Sequence, residues 1–154
     1  MARQRVVVFG NGIAEHPRLA PLIREFNWTP ETLTSLDRFA KLNSRREVVA
    51  ALVEPAAMDL PWKQAIAAVR KAAPFAFIIL CHRFSYSIDW AEASAEGAFN
   101  LLNLPLDLDE LRQSLGFVWA AKNKRFHVIP ADVGERARLR KRGAARTHAA
   151  SSVA

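Results

Sequence analysis

The chain alternates short, continuous apolar runs with segments whose apolar residues recur at helical spacing. Val6–Phe9 is the first such run, and Gly10-Asn11-Gly12 closes it, as expected for a buried parallel strand followed by a turn. Leu19, Leu22, Ile23 and Phe26 then share one stripe, so the spacing predicts a helix from Pro17 to Phe26 with proline in its first turn. A weaker strand is expected at Thr32–Thr34, and a helix carrying Phe39 over Leu36–Leu42, broken by Asn43-Ser44-Arg45-Arg46. Val48–Val53 is the second apolar run and ends at Glu54-Pro55. Trp62, Ala65, Ile66 and Val69 place a helix over Pro61–Ala72, and Phe75–Cys81 is the third fully apolar run. Trp90–Glu96 is a short alanine-rich helix ending at Gly97, and Phe99–Leu102 a brief strand before Leu104-Pro105. Asp107 opens the last helix, with Leu108, Leu111, Leu115 and Val118 at helical spacing and acids in the first turn, where the helix dipole favours them.

This order is (βα)₅. Short connections and right-handed crossovers turn it into an α/β fold, a doubly wound five-stranded parallel sheet with helices on both faces. Ligands of such sheets sit at the carboxyl ends of the strands, near the switch in strand order. The positions to question are therefore Gly10–Gly12, Glu54, Cys81–Arg83 and Asn103–Pro105.

Composition narrows the class. A chain of 154 residues, 51% hydrophobic and 24% charged, holds one core and no second full domain. The single Cys81 excludes an internal disulfide, and no run of apolar residues is long enough to span a membrane. The start, Met1-Ala2-Arg3-Gln4-Arg5 followed at once by Val6, lacks the apolar core of a signal peptide, so a cytoplasmic protein is expected. The net charge of +7 is localised: residues 1–121 balance, and the excess lies in Lys122, Lys124, Arg125, Arg136, Arg138, Arg140, Lys141, Arg142 and Arg146 against Asp132 and Glu135. The chain thus divides into a folded domain over 4–121 and a basic tail over 122–154, whose composition predicts disorder. Arg136, Arg138, Arg140, Lys141 and Arg142 are the candidate polyanion contacts, adding salt-dependent affinity for phosphates; the alternative is a solubilising extension.

The segment Gly97-Ala-Phe-Asn-Leu-Leu-Asn-Leu-Pro-Leu-Asp-Leu-Asp-Glu-Leu111 resembles the fifth-strand region of response regulator receiver domains, which run Gly-Ala-x-x-φ-φ-x-Lys-Pro-φ-x-x-x-Glu-Leu. The order and length of the other elements over residues 4–121 agree with this likeness, which implies a flavodoxin-like fold. Receiver chemistry implies an acidic pair after strand one to hold Mg²⁺, an acceptor aspartate on strand three, a Ser/Thr on strand four and a lysine before the strand-five proline. Carried over by position, the acidic pair falls on Gly10 and Asn11, the acceptor on Glu54, the Ser/Thr on Cys81, the aromatic switch on Leu101 and the lysine on Leu104. Mg²⁺ prefers hard carboxylate oxygens, and phosphoryl transfer depends on cations that neutralise developing charge. The resemblance therefore implies a degenerate receiver, a pseudo-receiver, with no catalytic residue, metal or cofactor. Glu54 is either a constitutive imitation of the phosphorylated state or a solvated residue at a strand end.

Other candidates are weaker. Gly10-x-Gly12 before a helix has the start of a dinucleotide fingerprint, but Glu15 stands where the third glycine belongs. Cys81 and His82 are adjacent on a strand and point to opposite faces, so they cannot exchange a proton. His16, His127 and His148 lack metal-ligand spacing. Phe84, Tyr86, Ile88 and Trp90 alternate with small polar residues, and the rings of Phe84, Tyr86 and Trp90 form either an interaction face or a cap on the core.

The function expected is a non-enzymatic, phosphorylation-independent signalling module of a two-component or phosphorelay-type route, working through a protein partner or homodimer. The alternative is a nucleic-acid-associated protein with a receiver-like dimerisation domain and a basic tail. No membrane and no small-molecule substrate is expected.

Overall fold

A computed structural model describes residues 4–43 and 48–123. Five strands form one parallel sheet in the order β2-β1-β3-β4-β5: β1 is Arg5–Phe9, β2 Thr29–Thr32, β3 Val48–Val53, β4 Phe77–His82 and β5 Ala98–Asn103. The helices are α1 (Asn11–Ala14), α2 (Leu19–Glu25), α3 (Leu36–Asn43), α4 (Trp62–Ala72), α5 (Trp90–Glu96) and α6 (Leu108–Asn123). This is the doubly wound architecture expected from the alternation of apolar runs and helical stripes.

The sheet separates two apolar layers. Val6, Val8, Leu52 and Ile79 point toward α2 and α6 and meet Leu22, Ile23, Leu111 and Leu115. Val7, Ala51, Val53, Ile78 and Leu80 point the other way and meet Phe39, Ile66 and Val69 of α3 and α4, with Ala93 of α5. Both faces of the sheet are covered, which is why the central strands read as unbroken apolar runs; β3 is buried at all six positions. Truncating Leu52, fully buried at the centre, would cost about 2–5 kcal/mol on the usual scale for core leucines.

Three boundaries differ from the expectation. The Gly10-Asn-Gly12 turn winds on into the one-turn helix α1, and α2 starts at Leu19, so Pro17 lies before it and Pro21 occupies its first turn. The second strand is Thr29–Thr32, pairing Arg5 with Thr29 and Val8 with Thr32. It contains Pro30, which an edge strand tolerates because one of its sides makes no ladder. The strand expected at Phe75 begins at Phe77, and Phe75 itself is 67% exposed in the preceding turn.

Two polar devices fix the frame. Asp107 Oδ1 accepts hydrogen bonds from the Asp109 and Glu110 backbone N–H groups at 2.8 and 3.3 Å, capping α6. Arg70 at the end of α4 donates to the carbonyls of Gly97 (2.7 Å), Pro74 (3.0 Å) and Ala76 (3.4 Å), tying α4 to the turn that enters β5.

Candidate functional site

In the order β2-β1-β3-β4-β5 the chain switches direction between β1 and β3, so the crevice lies beyond Phe9 and Val53. Gly10 and Glu54 are the next residues, and the Glu54 N–H donates to the Phe9 carbonyl at 2.9 Å. A cleft of 430 Å³ opens there, lined by Gly12, Glu54, Arg83, Phe84, Leu104 and Pro105. Of the strand-end positions selected from the sequence, Gly12, Glu54, Arg83, Leu104 and Pro105 line it.

Its floor is set by how Glu54 packs. The half-buried Glu54 side chain lies across the Gly10–Gly12 loop, so that a Cβ on Gly10 would stand 2.6 Å from Oε1 and 2.7 Å from the Glu54 Cβ. A Cβ on Gly12 would stand 3.0 Å from Oε1. Gly10 has φ +136°, a conformation that side-chain-bearing residues rarely adopt. The loop therefore requires glycine at residue 10 twice over, from its backbone and from its neighbour. Neither Glu54 nor Arg83 takes part in any of the ion pairs among the described residues.

The Mg²⁺ of receiver chemistry does not fit these residues. Gly10 offers no side chain and has no room for one, Asn11 is neutral, and Glu54 is the one carboxylate lining the cleft. Among the described residues no group of three or more His, Cys, Asp or Glu is arranged to hold a metal ion. No step through the metal follows from this site.

Leu104 is buried at 6% exposure, and its peptide bond to Pro105 is cis. It forms part of the layer under α2 and α6, leaving an apolar wall where the receiver pattern has a lysine. Cys81 is fully buried in the same layer and does not line the cleft. Burial, and after it the Glu54 charge nearby, push its thiol up to about 12 against a weaker, lowering hydrogen bond with the Val53 backbone, so it is neither a nucleophile nor a surface donor. Leu101 lies in the opposite layer, against α4 and α5. Cys81 and Leu101 therefore stand on different faces of the sheet, and the strand-four residues that share the face of Leu101 are Ile78 and Leu80, the latter its direct neighbour in the ladder.

The segment after β4 splits the expected aromatic face. Phe84 and Tyr86 are 56% and 84% exposed and meet edge to face at 6.1 Å between ring centres. Trp90 departs from them: it is half-buried and packs on the layer of α3, α4 and α5, alongside the buried Ile88, because it begins a helix that lies on the sheet. Asn103 Oδ1 at the end of β5 accepts hydrogen bonds from the Ser85 hydroxyl (2.9 Å) and N–H (3.4 Å), holding this loop beside the cleft. That latch and the Arg70 clamp were not legible beforehand, since each joins residues distant in sequence. Arg136, Arg138, Arg140, Lys141 and Arg142 lie outside the described residues.

No helix among the described residues is long and apolar enough to cross a membrane. No family model matches the chain, and no curated protein matches it. Solved structures do. The receiver domain of the TMAO respiratory system response regulator TorR aligns with a TM-score of 0.62 at 20% identity, covering 76% of this chain and 98% of that one. A two-component response regulator from Clostridium difficile aligns at 0.62 and 14%, covering 79% and 99%. The receiver domain of a sensor histidine kinase from Pseudomonas aeruginosa PAO1, which has a magnesium ion coordinated in its active site cleft, aligns at 0.59 and 15%, covering 77% and 99%. The fold of this chain is that of response regulator receiver domains.

Proposed function

We propose that the chain is a pseudo-receiver: a signalling module of a two-component or phosphorelay-type route that acts through protein contacts and without phosphorylation or enzymatic turnover. The observation that carries this reading is the packing of Glu54 against Gly10 and Gly12. Where a receiver needs an acidic pair, this chain has a glycine conformation closed over by the residue in the acceptor position. The apolar wall at Leu104 supports the same reading, because transfer of a phosphoryl group without a metal or a lysine leaves its developing charge uncompensated. Glu54 would hold a permanent negative charge at the crevice, and the exposed Phe84 and Tyr86 beside it would supply contact area for a partner or a second copy of the chain.

The test is incubation with acetyl phosphate and Mg²⁺ followed by intact mass. The expected result is an unchanged mass under conditions that label an active receiver domain. A gain of one phosphoryl group on Glu54 overturns the proposal.

The clustering of charge in residues 122–154 favours a second role, contact with a polyanion. Replacing Arg136, Arg138, Arg140, Lys141 and Arg142 by glutamine should abolish salt-dependent binding to generic DNA. Unchanged binding removes that role.

A further inference from the structure

Among the described residues the charge in the cleft has no ion-pair partner. Glu54 is half-buried, its carboxylate is steered toward the cleft by contact with Gly10 and Gly12, and no cation among the described residues pairs with it. The position from which a lysine would reach it is occupied by Leu104. Half-buried carboxylates are stabilised by charge-assisted hydrogen bonds, and this one has a free approach from outside. The remaining lining, Leu104, Pro105 and the exposed ring of Phe84, suits the alkyl stem and the delocalised face of a guanidinium. The volume of 430 Å³ leaves ample room for one long side chain.

We infer that this cleft is a receptor for one arginine side chain presented by a partner protein, with Glu54 as its charged anchor and Phe84, Leu104 and Pro105 as its walls. The cation that the receiver pattern supplies from strand five is here supplied in trans. The inference rests on the reading of the chain as a non-phosphorylated contact module, and it names what that module recognises. Arg83 lines the same cleft as the competing charge: it is exposed and outside ion-pair range of Glu54, so it can turn to solvent when a guest enters. Tyr86, which meets the Phe84 ring, extends the contact surface beyond the cleft mouth.

The experiment is an NMR titration of the full chain at low salt with N-acetylarginine amide, with N-acetylnorleucine amide as the uncharged control. Saturable shifts are expected at Gly12, Glu54, Phe84 and Leu104, with weaker response to the control. Glu54→Gln should weaken the arginine probe by about tenfold, the scale of one charge-assisted hydrogen bond. Arg83→Ala, an exposed change that leaves the fold intact, should tighten it. Shifts confined to other acidic residues, or an equal midpoint in Glu54→Gln, overturn the inference. Movement of the side-chain signals of the chain's arginines other than Arg83 on Glu54→Gln, with no probe present, also overturns it by assigning the cleft to this chain's own basic residues. Labelling by acetyl phosphate is scored separately, so a phosphorylated chain that still binds the probe defeats the functional reading and spares the cleft.

Discussion

Placing an aspartate at residue 10 probes the site at its most constrained point. In Gly10→Asp the new Cβ would have to occupy a backbone with φ +136°, at about 1–3 kcal/mol for a conformation reserved to glycine. It would also meet the Glu54 Oε1 at 2.6 Å and Cβ at 2.7 Å, and such overpacking adds about 1–3 kcal/mol. The second contact matters more, because a Cβ cannot swing aside as a carboxylate can. The total is about 2–6 kcal/mol, which at a urea m-value of about 2 kcal/mol/M lowers the unfolding midpoint by about 1–3 M. A mutant cycle separates the parts. Glu54→Ala in the same background relieves the carboxylate contact, Glu54→Gly relieves both, and the backbone strain remains in each. Gly10→Asp within about 0.5 kcal/mol of the parent, or an equal loss whatever stands at residue 54, would refute the packing account.

Other consequences follow from the same geometry. Arg70→Ala removes three charge-assisted bonds, two to carbonyls in the turn before β4 and one to the carbonyl that precedes β5, and should destabilise by about 2 kcal/mol, with Arg70→Lys recovering part of it in urea melts. The Cys81 thiol should resist alkylation in the native state at pH 8 and react only on unfolding. Because burial raises the folded pKa to about 12 while an unfolded cysteine titrates near about 8.5, its contribution is complete below about pH 8.5 and is lost as pH rises toward 12. Relative to Cys81→Ala, the parent should lose about 1.4 kcal/mol of stability per pH unit in that window, and parallel curves would contradict the burial of the thiol. Tyr86→Ala, at an 84% exposed position, should leave stability within about 0.5 kcal/mol while weakening capture of a partner.

The strands β1, β3 and β4 were legible because each is buried on both faces and therefore carries an uninterrupted apolar run, and β5 was legible despite the buried Asn100 within it. The edge strand β2 was misplaced by three residues at its start because its pairing with β1, and not its own composition, selects Thr29–Thr32. Hydrophobicity likewise extended β4 to Phe75, which neighbouring strands leave unpaired. The candidate residues at the strand ends could be listed from topology alone. What could not be read was their mutual packing: that Glu54 fills the space above Gly10, that Asn103 holds the Ser85 loop, and that Trp90 turns inward while Phe84 and Tyr86 remain outside. Each depends on side chains brought together by crossovers of many residues.

The most direct measurement of the central claim is an NMR titration of the full chain with Mg²⁺, then with beryllofluoride. The account predicts no saturable shift at Gly10, Asn11, Glu54 or Leu104 at millimolar Mg²⁺, and none on adding beryllofluoride. A saturable Mg²⁺ response at Gly10 and Glu54, enhanced by beryllofluoride, would contradict it.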